Sequence, residues 1–114
     1  MGSQPLKHLI TKRLKVGAVA LNQTPLDWDG NLRNIRAAIA AARAEGVQLL
    51  CLPELCVTGY NCEDTFHAAG VLETAAQMLL DLLPDTQGLV VSLGMPILMQ
   101  NTSTLPTTVT MCWT

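Results

Sequence analysis

The sequence predicts an α/β fold in βαβαβ order with a mostly parallel sheet. Three observations carry this. Three short apolar runs, KVGAVAL (15–21), VQLLCL (47–52) and LVVSL (89–93), are separated by two segments with helical periodicity. Each helical segment is long enough to carry the chain back for a parallel crossover. Each apolar run is bounded by Gly, Pro or Asn, the residues that end regular structure.

In chain order, residues 1–14 read as a polar extension and residues 15–21 as a buried strand. Asn22 to Trp28 is a loop with Pro25, and Asp29 or Asn31 is suited to cap the following helix, because a short side-chain oxygen accepts an unpaired backbone N–H. Leu32, Ile35, Ile39 and Ala42 then share one face, while Arg33, Arg36 and Arg43 lie off it on what reads as a solvated side. Gly46 stands where a C-terminal cap belongs. The second strand is expected to end at Pro53, which lacks a donor and biases Leu52 to extended geometry. Residues 53–66 read as a loop with a short helical turn near Asp64. Residues 68–83 read as a helix with Leu72, Ala76, Leu79 and Leu83 buried, stopped by Pro84; a third strand at 89–93 is closed by Gly94 and Pro96. The last fourteen residues hold six Thr, and TTVTMCW has strand composition with nothing after it to close a sheet.

Composition limits the function. The 114 residues suffice for one small domain, with an aliphatic core, since hydrophobic residues make up 49% and aromatics only 4%. The net charge of −2 is divided: residues 1–43 carry seven bases and two acids, residues 44–114 seven acids and no base. The bases are scattered and no aromatics interleave them, which argues against a nucleic-acid partner. No apolar run reaches the ~18 residues of a membrane span. The N-terminal apolar run is too short for a signal peptide, and residues 1–15 resemble a transit peptide only in being basic and acid-free. Cys51, Cys56, Cys62 and Cys112 show no CxxC spacing, and with His8 and His67 the only histidines, a metal site is not expected. Free thiols in a reducing, cytoplasmic setting are the expectation. Neither GxGxxG nor GxxxxGK[ST] is present.

Chemistry centres on Glu54. A carboxylate just past the C-terminal end of a buried strand stands where open α/β sheets place their ligands. Partial burial would raise its pKa toward that of a general base; the residue type alone favours a solvated loop glutamate. Cys51, Cys56 and Cys62 flank it as thiols, with Cys51 expected to point into the core. Tyr60 follows Gly59 and reads either as a substrate contact or as a core or rim tyrosine. His67 reads as a surface residue, and Ser92 sits in no GxSxG elbow.

The segments ALNQ, LDWDGN, LCLPELCVTGY, GYNCEDTF and VVSLGMPILMQN resemble the nitrilase (carbon–nitrogen hydrolase) superfamily, and more narrowly the N-terminal part of the glutaminase domain of glutamine-dependent NAD synthetases. The likeness covers residues 14–101 and implies part of a nitrilase-like αββα sandwich, with residues 15–101 the N-terminal portion of that domain and residues 102–114 a divergent Thr-rich tail. It implies a Glu–Lys–Cys triad in which Glu54 is the general base, with Tyr60 at the wall of a glutamine pocket. The family's lysine and cysteine have no counterpart here: Lys7, Lys12 and Lys15 precede the first core strand, and Cys112 stands in the wrong context. The expectation is therefore a truncated chain, inactive alone and needing no cofactor itself, with ATP and Mg belonging to an absent synthetase domain of NAD biosynthesis. Glutamine, full-length synthetase subunits or further copies of the chain are the implied partners. A fragment of another nitrilase-type amidase is the remaining reading.

Overall fold

The computed structural model describes residues 13–60, 69–97 and 107–113, the last segment and Ala69 as backbone. Asp64, Cys62, His67 and most of the N-terminal extension lie outside the described residues. The elements are β1 (Val16–Ala18), α1 (Trp28–Ala44), β2 (Leu49–Cys51), α2 (Ala69–Leu82), a 3-10 turn (Leu83–Thr86), β3 (Val90–Ile97) and β4 (Thr107–Trp113). They form a four-stranded sheet in the order β1-β2-β3-β4. Its first three strands are parallel, and β4 returns antiparallel, pairing from Val91↔Trp113 to Ile97↔Thr107. The expected α/β architecture with a mostly parallel sheet is the one observed.

One core joins sheet and helices. Leu50, Leu52, Val91, Leu93 and Met95 from the strand segments pack with Ile35, Ala38, Ile39 and Ala42 of α1 and Ala75, Met78 and Leu82 of α2. Along β3 the side chains of Val91, Leu93 and Met95 face this core, and past Ser92 the opposite face is covered too, with Gly94 and Pro96 buried.

The boundaries differ from the sequence reading in several places, the second strand among them, which is Leu49–Cys51 rather than 47–52. The first strand spans Val16–Ala18 rather than 15–21, with one further bond from Val19 N to Cys51 O at 3.1 Å. The cap of α1 is Asp27, whose carboxylate accepts from Gly30 N at 3.1 Å; Asp29 lies in the first turn and Asn31 is buried inside it. All three residue types can cap, and the chain's entry through Leu26 decides among them. The buried face of α2 is Ala75, Met78 and Leu82, one residue back from the expected stripe, and the helix passes into the 3-10 turn with Pro84 inside it rather than stopping there. The third strand runs on through Gly94 and Pro96, since past Ser92 it pairs with β4 alone and no strand on its β2 side needs a donor. Gly46 ends α1 as expected, with φ +73°.

Arg36 and Arg43 do more than face solvent. Arg36 Nε meets Asp85 Oδ2 at 3.0 Å, and Arg43 donates to the carbonyls of Gln87 at 2.7 Å and Asp85 at 2.5 Å. Both tie α1 to the 3-10 turn that feeds β3.

Candidate active site at the Glu54 turn

The chain leaves the sheet through a bond from Leu52 N to Ser92 O at 2.8 Å, and Pro53 then supplies no donor. A turn follows, closed by Cys56 N to Pro53 O at 3.3 Å and Gly59 N to Leu55 O at 2.8 Å. Glu54 opens this turn at the carboxyl end of β2, as the position of Pro53 predicts.

Gly94 explains how close the turn sits to the sheet. A Cβ at residue 94 would stand 1.3 Å from Glu54 O and 2.6 Å from Glu54 Cα, so only glycine lets the Glu54 backbone rest on β3. The side chains at 91, 93 and 95 point to the core, so alternation puts position 94 on the other face. The backbone of Glu54 is thus fixed while its side chain remains exposed. Its exposure accords with the solvated loop position that the residue type by itself favours, and among the described residues nothing covers the carboxylate.

The two described thiols near Glu54 have opposite environments. Cys56 is fully buried, with Sγ directed at Gly94 O at 3.9 Å. Burial pushes its thiol from the ordinary 9.0 up to about 11, against smaller opposing hydrogen bonds from the backbone. It is a packing residue rather than a nucleophile. Cys51 is exposed, contrary to the expectation of a core position, since the buried residues around it are Leu50 and Leu52. Tyr60 stands at the far end of the turn with 47% of its surface exposed. Ser92 is half-buried. Among the described residues no three His, Cys, Asp or Glu gather where a metal ion could be held, and no helix is long and apolar enough to cross a membrane.

Sequence reasoning singled out Glu54 but gave Gln23 and Asn31 no part beyond a motif and a cap. Both reach the Glu54 turn by side-chain hydrogen bonds. The burial of Asn31, in a helix with an exposed asparagine at Asn34, is the feature that marks it.

A mostly parallel sheet with a glutamate turn seated on its third strand is the setting in which the comparisons with known proteins fall. Residues 15–109 match the family described as Carbon-nitrogen hydrolase, and the chain belongs to that family. Its similarity runs to glutamine-dependent NAD(+) synthetases. It is 40% identical over 90 residues to that of Oryza sativa subsp. indica, covering 77% of this chain and 12% of the relative. To the human one it is 35% identical over 92 residues, covering 79% and 13%. The crystal structure of the Cytophaga hutchinsonii glutamine-dependent NAD(+) synthetase superposes with a TM-score of 0.76 at 39% identity, over 87% of this chain and 16% of that one. An amidase from Nesterenkonia sp. AN1, seen with acrylamide added to its active-site cysteine, superposes with a TM-score of 0.67 at 26% identity, over 74% and 34%. The chain thus spans 12–13% of the length of these curated relatives, in their N-terminal region.

Proposed function

We propose that this chain is the N-terminal part of a glutamine-hydrolysing unit that supplies ammonia to a glutamine-dependent NAD synthetase. The observation that carries the reading is the Glu54 turn, seated on Gly94 at the end of β2 in a chain 35–40% identical to such synthetases. The lower identity to the amidase favours this branch over that of a small-amide amidase.

In this reading Glu54 is the general base. It takes the proton of a cysteine thiol, and the thiolate adds to the side-chain carbonyl carbon of glutamine. A lysine stabilises the resulting oxyanion. Glu54 then returns the proton to the leaving nitrogen, the C–N bond breaks and ammonia departs. Water, deprotonated by Glu54, cleaves the γ-glutamyl thioester to glutamate and free thiol. Tyr60 borders the glutamine pocket. Neither Cys51 nor Cys56 fits the nucleophile: one stands on the strand itself and the other is sealed under the turn. ATP and Mg belong to the synthetase half of such an enzyme, and a cytoplasmic location accords with the free thiols Cys51 and Cys56.

The purified 114-residue chain is expected to release no glutamate from glutamine. In the longest polypeptide encoded with this segment, Glu54→Gln is expected to lower kcat by roughly 10³-fold or more with glutamine binding retained. Hydrolysis by the isolated chain that Glu54→Gln abolishes would overturn its proposed inactivity. An unchanged kcat in the longer polypeptide would remove Glu54 from the mechanism.

A second reading is non-enzymatic: the chain associates with full-length subunits or with its own copies. It is favoured by β1, which pairs only with β2 among the described strands and leaves Leu14 63% and Val16 59% exposed.

A further inference from the structure

Three successive carbonyls of the Glu54 turn are each held by a donor from the loop that enters α1 or from the first turn of α1. Gln23 Nε2 donates to Cys56 O at 2.6 Å, Asn31 Nδ2 to Val57 O at 3.2 Å, and Leu26 N to Thr58 O at 2.8 Å. A turn outside helix and ladder has no intrinsic partners for such carbonyls, and buried ones must find them. Residues 56–58 are fully buried.

The donors are themselves fixed. Asn31 is buried, its Oδ1 accepts from Thr24 N at 3.0 Å, and the second hydrogen of Nδ2 goes to Thr24 O at 2.8 Å. Gln23 Nε2 also donates to Asn31 O at 3.1 Å, while its Oε1 accepts from Asn34 Nδ2 at 2.8 Å. Each side-chain amide therefore spends every hydrogen on this junction. Leu26 adopts φ +57°, a left-handed backbone that a bulky residue rarely takes, and from there its N–H bonds to Thr58. The loops also touch directly: a Cβ at Gly59 would lie 2.9 Å from the backbone of Thr24 and Pro25.

We propose that Gln23 and Asn31 are positioning residues for Glu54, clamping the carbonyls of Cys56 and Val57 so that the turn cannot lift from Gly94. The proposal rests on the reading of Glu54 as the base. Gly94 sets how close the turn lies, and the clamp sets its orientation. Neither amide touches the reacting groups; both act through the backbone of the turn. A base must be held within a narrow angle of the proton it takes, and an exposed glutamate depends on its backbone for that.

Cys56 reports on the clamp, because it is sealed inside the turn. Iodoacetamide labelling of the native 114-residue chain, resolved by peptide mass mapping, gives the opening of this turn, and urea unfolding gives global stability. Gln23→Ala and Asn31→Ala are expected to speed Cys56 labelling ~10-fold beyond what their loss of global stability accounts for. Gln23→Glu keeps the shape but loses the donor and is expected to do the same, while Met78→Ala, in the core of α2, speeds labelling only in step with stability. If Asn31→Ala fails to fold, the variants of the half-buried Gln23 decide. In the longest polypeptide encoded with this segment, Gln23→Ala is expected to lower glutamine kcat ~10-fold or more with KM changed under ~2-fold. Labelling that follows global stability in every variant overturns the clamp. Labelling that rises while kcat stays put overturns the positioning role. Failure of Glu54→Gln to change kcat instead strikes the reading of Glu54, and the labelling result stands apart from it.

Discussion

At the end of β2 two thiols sit in opposite surroundings, and the contrast has a measurable pH signature. Cys56 is buried against Gly94 O and its folded-state pKa is about 11, against an ordinary 9.0. Its contribution to stability is fully present below pH ~9, where the thiol is neutral in both states. As pH rises past that value the unfolded chain ionises while the folded chain holds its proton, so the unfolded state binds fewer protons and stability falls until pH passes about 11. The loss attributable to this thiol is about 2–3 kcal/mol at most. Urea unfolding of the chain and of Cys56→Ala across this window isolates the contribution of this thiol. The wild-type stability curve is expected to fall more steeply than that of Cys56→Ala, and parallel curves would show that the thiol is not sealed.

On the scale of elements, α2 shows how periodicity reaches its limit. Leu72, Ala76, Leu79 and Leu83 share one face of the helix; Ala75, Met78 and Leu82 share the next, one residue away. Both are apolar, so the spacing alone does not say which is buried. Packing against α1 and β3 selects the second, and Leu83 is left 41% exposed. Met78→Ala is therefore expected to lower unfolding free energy by ~2–4 kcal/mol, whereas Leu83→Ala stays within ~1 kcal/mol. Equal losses in urea unfolding would return the helix to the other register. Where one apolar stripe faced a charged one, as with Ile35, Ile39 and Ala42 against Arg33, Arg36 and Arg43, the sequence was sufficient. The Glu54 position was legible because Pro53 directly follows the apolar run of β2 and offers no donor where that run would go on pairing with β3. The junction of Gln23 and Asn31 with residues 56 and 57 was not. Its partners are 33 and 26 residues apart, and polar side chains without a period leave no mark of whom they bond. Gly94 and Pro96 misled in the other direction, because a glycine needed for close approach and a proline on an unpaired side look like breaks in a one-dimensional reading.

Across the whole molecule, the charge division of the sequence closes in space. The basic first part and the acidic remainder meet where Arg36 pairs with Asp85 and Arg43 caps the carbonyls of Asp85 and Gln87. The Arg36–Asp85 pair is largely exposed and contributes little energy, so the halves are held by the shared apolar core and these contacts set its register. Among the described strands β1 and β4 are the two edges of the sheet, and no described strand lies on the far side of β1. Leu14 and Val16 are exposed there, and β1 offers backbone donors and acceptors that β2 does not use. A second exposed apolar pair is Leu80 on α2 and Leu83 at the start of the 3-10 turn. The two surfaces predict different modes of association, and the strand edge is the stronger, since it adds backbone hydrogen bonds to apolar burial. Sedimentation velocity over a range of concentrations is expected to show self-association that Val16→Lys weakens, because a lysine on an edge strand obstructs pairing with another strand without disturbing the core. The paired substitutions Leu80→Lys and Leu83→Lys are expected to leave it largely intact. The opposite pattern would move the interface to α2, and a monomer at every concentration would remove the association reading altogether.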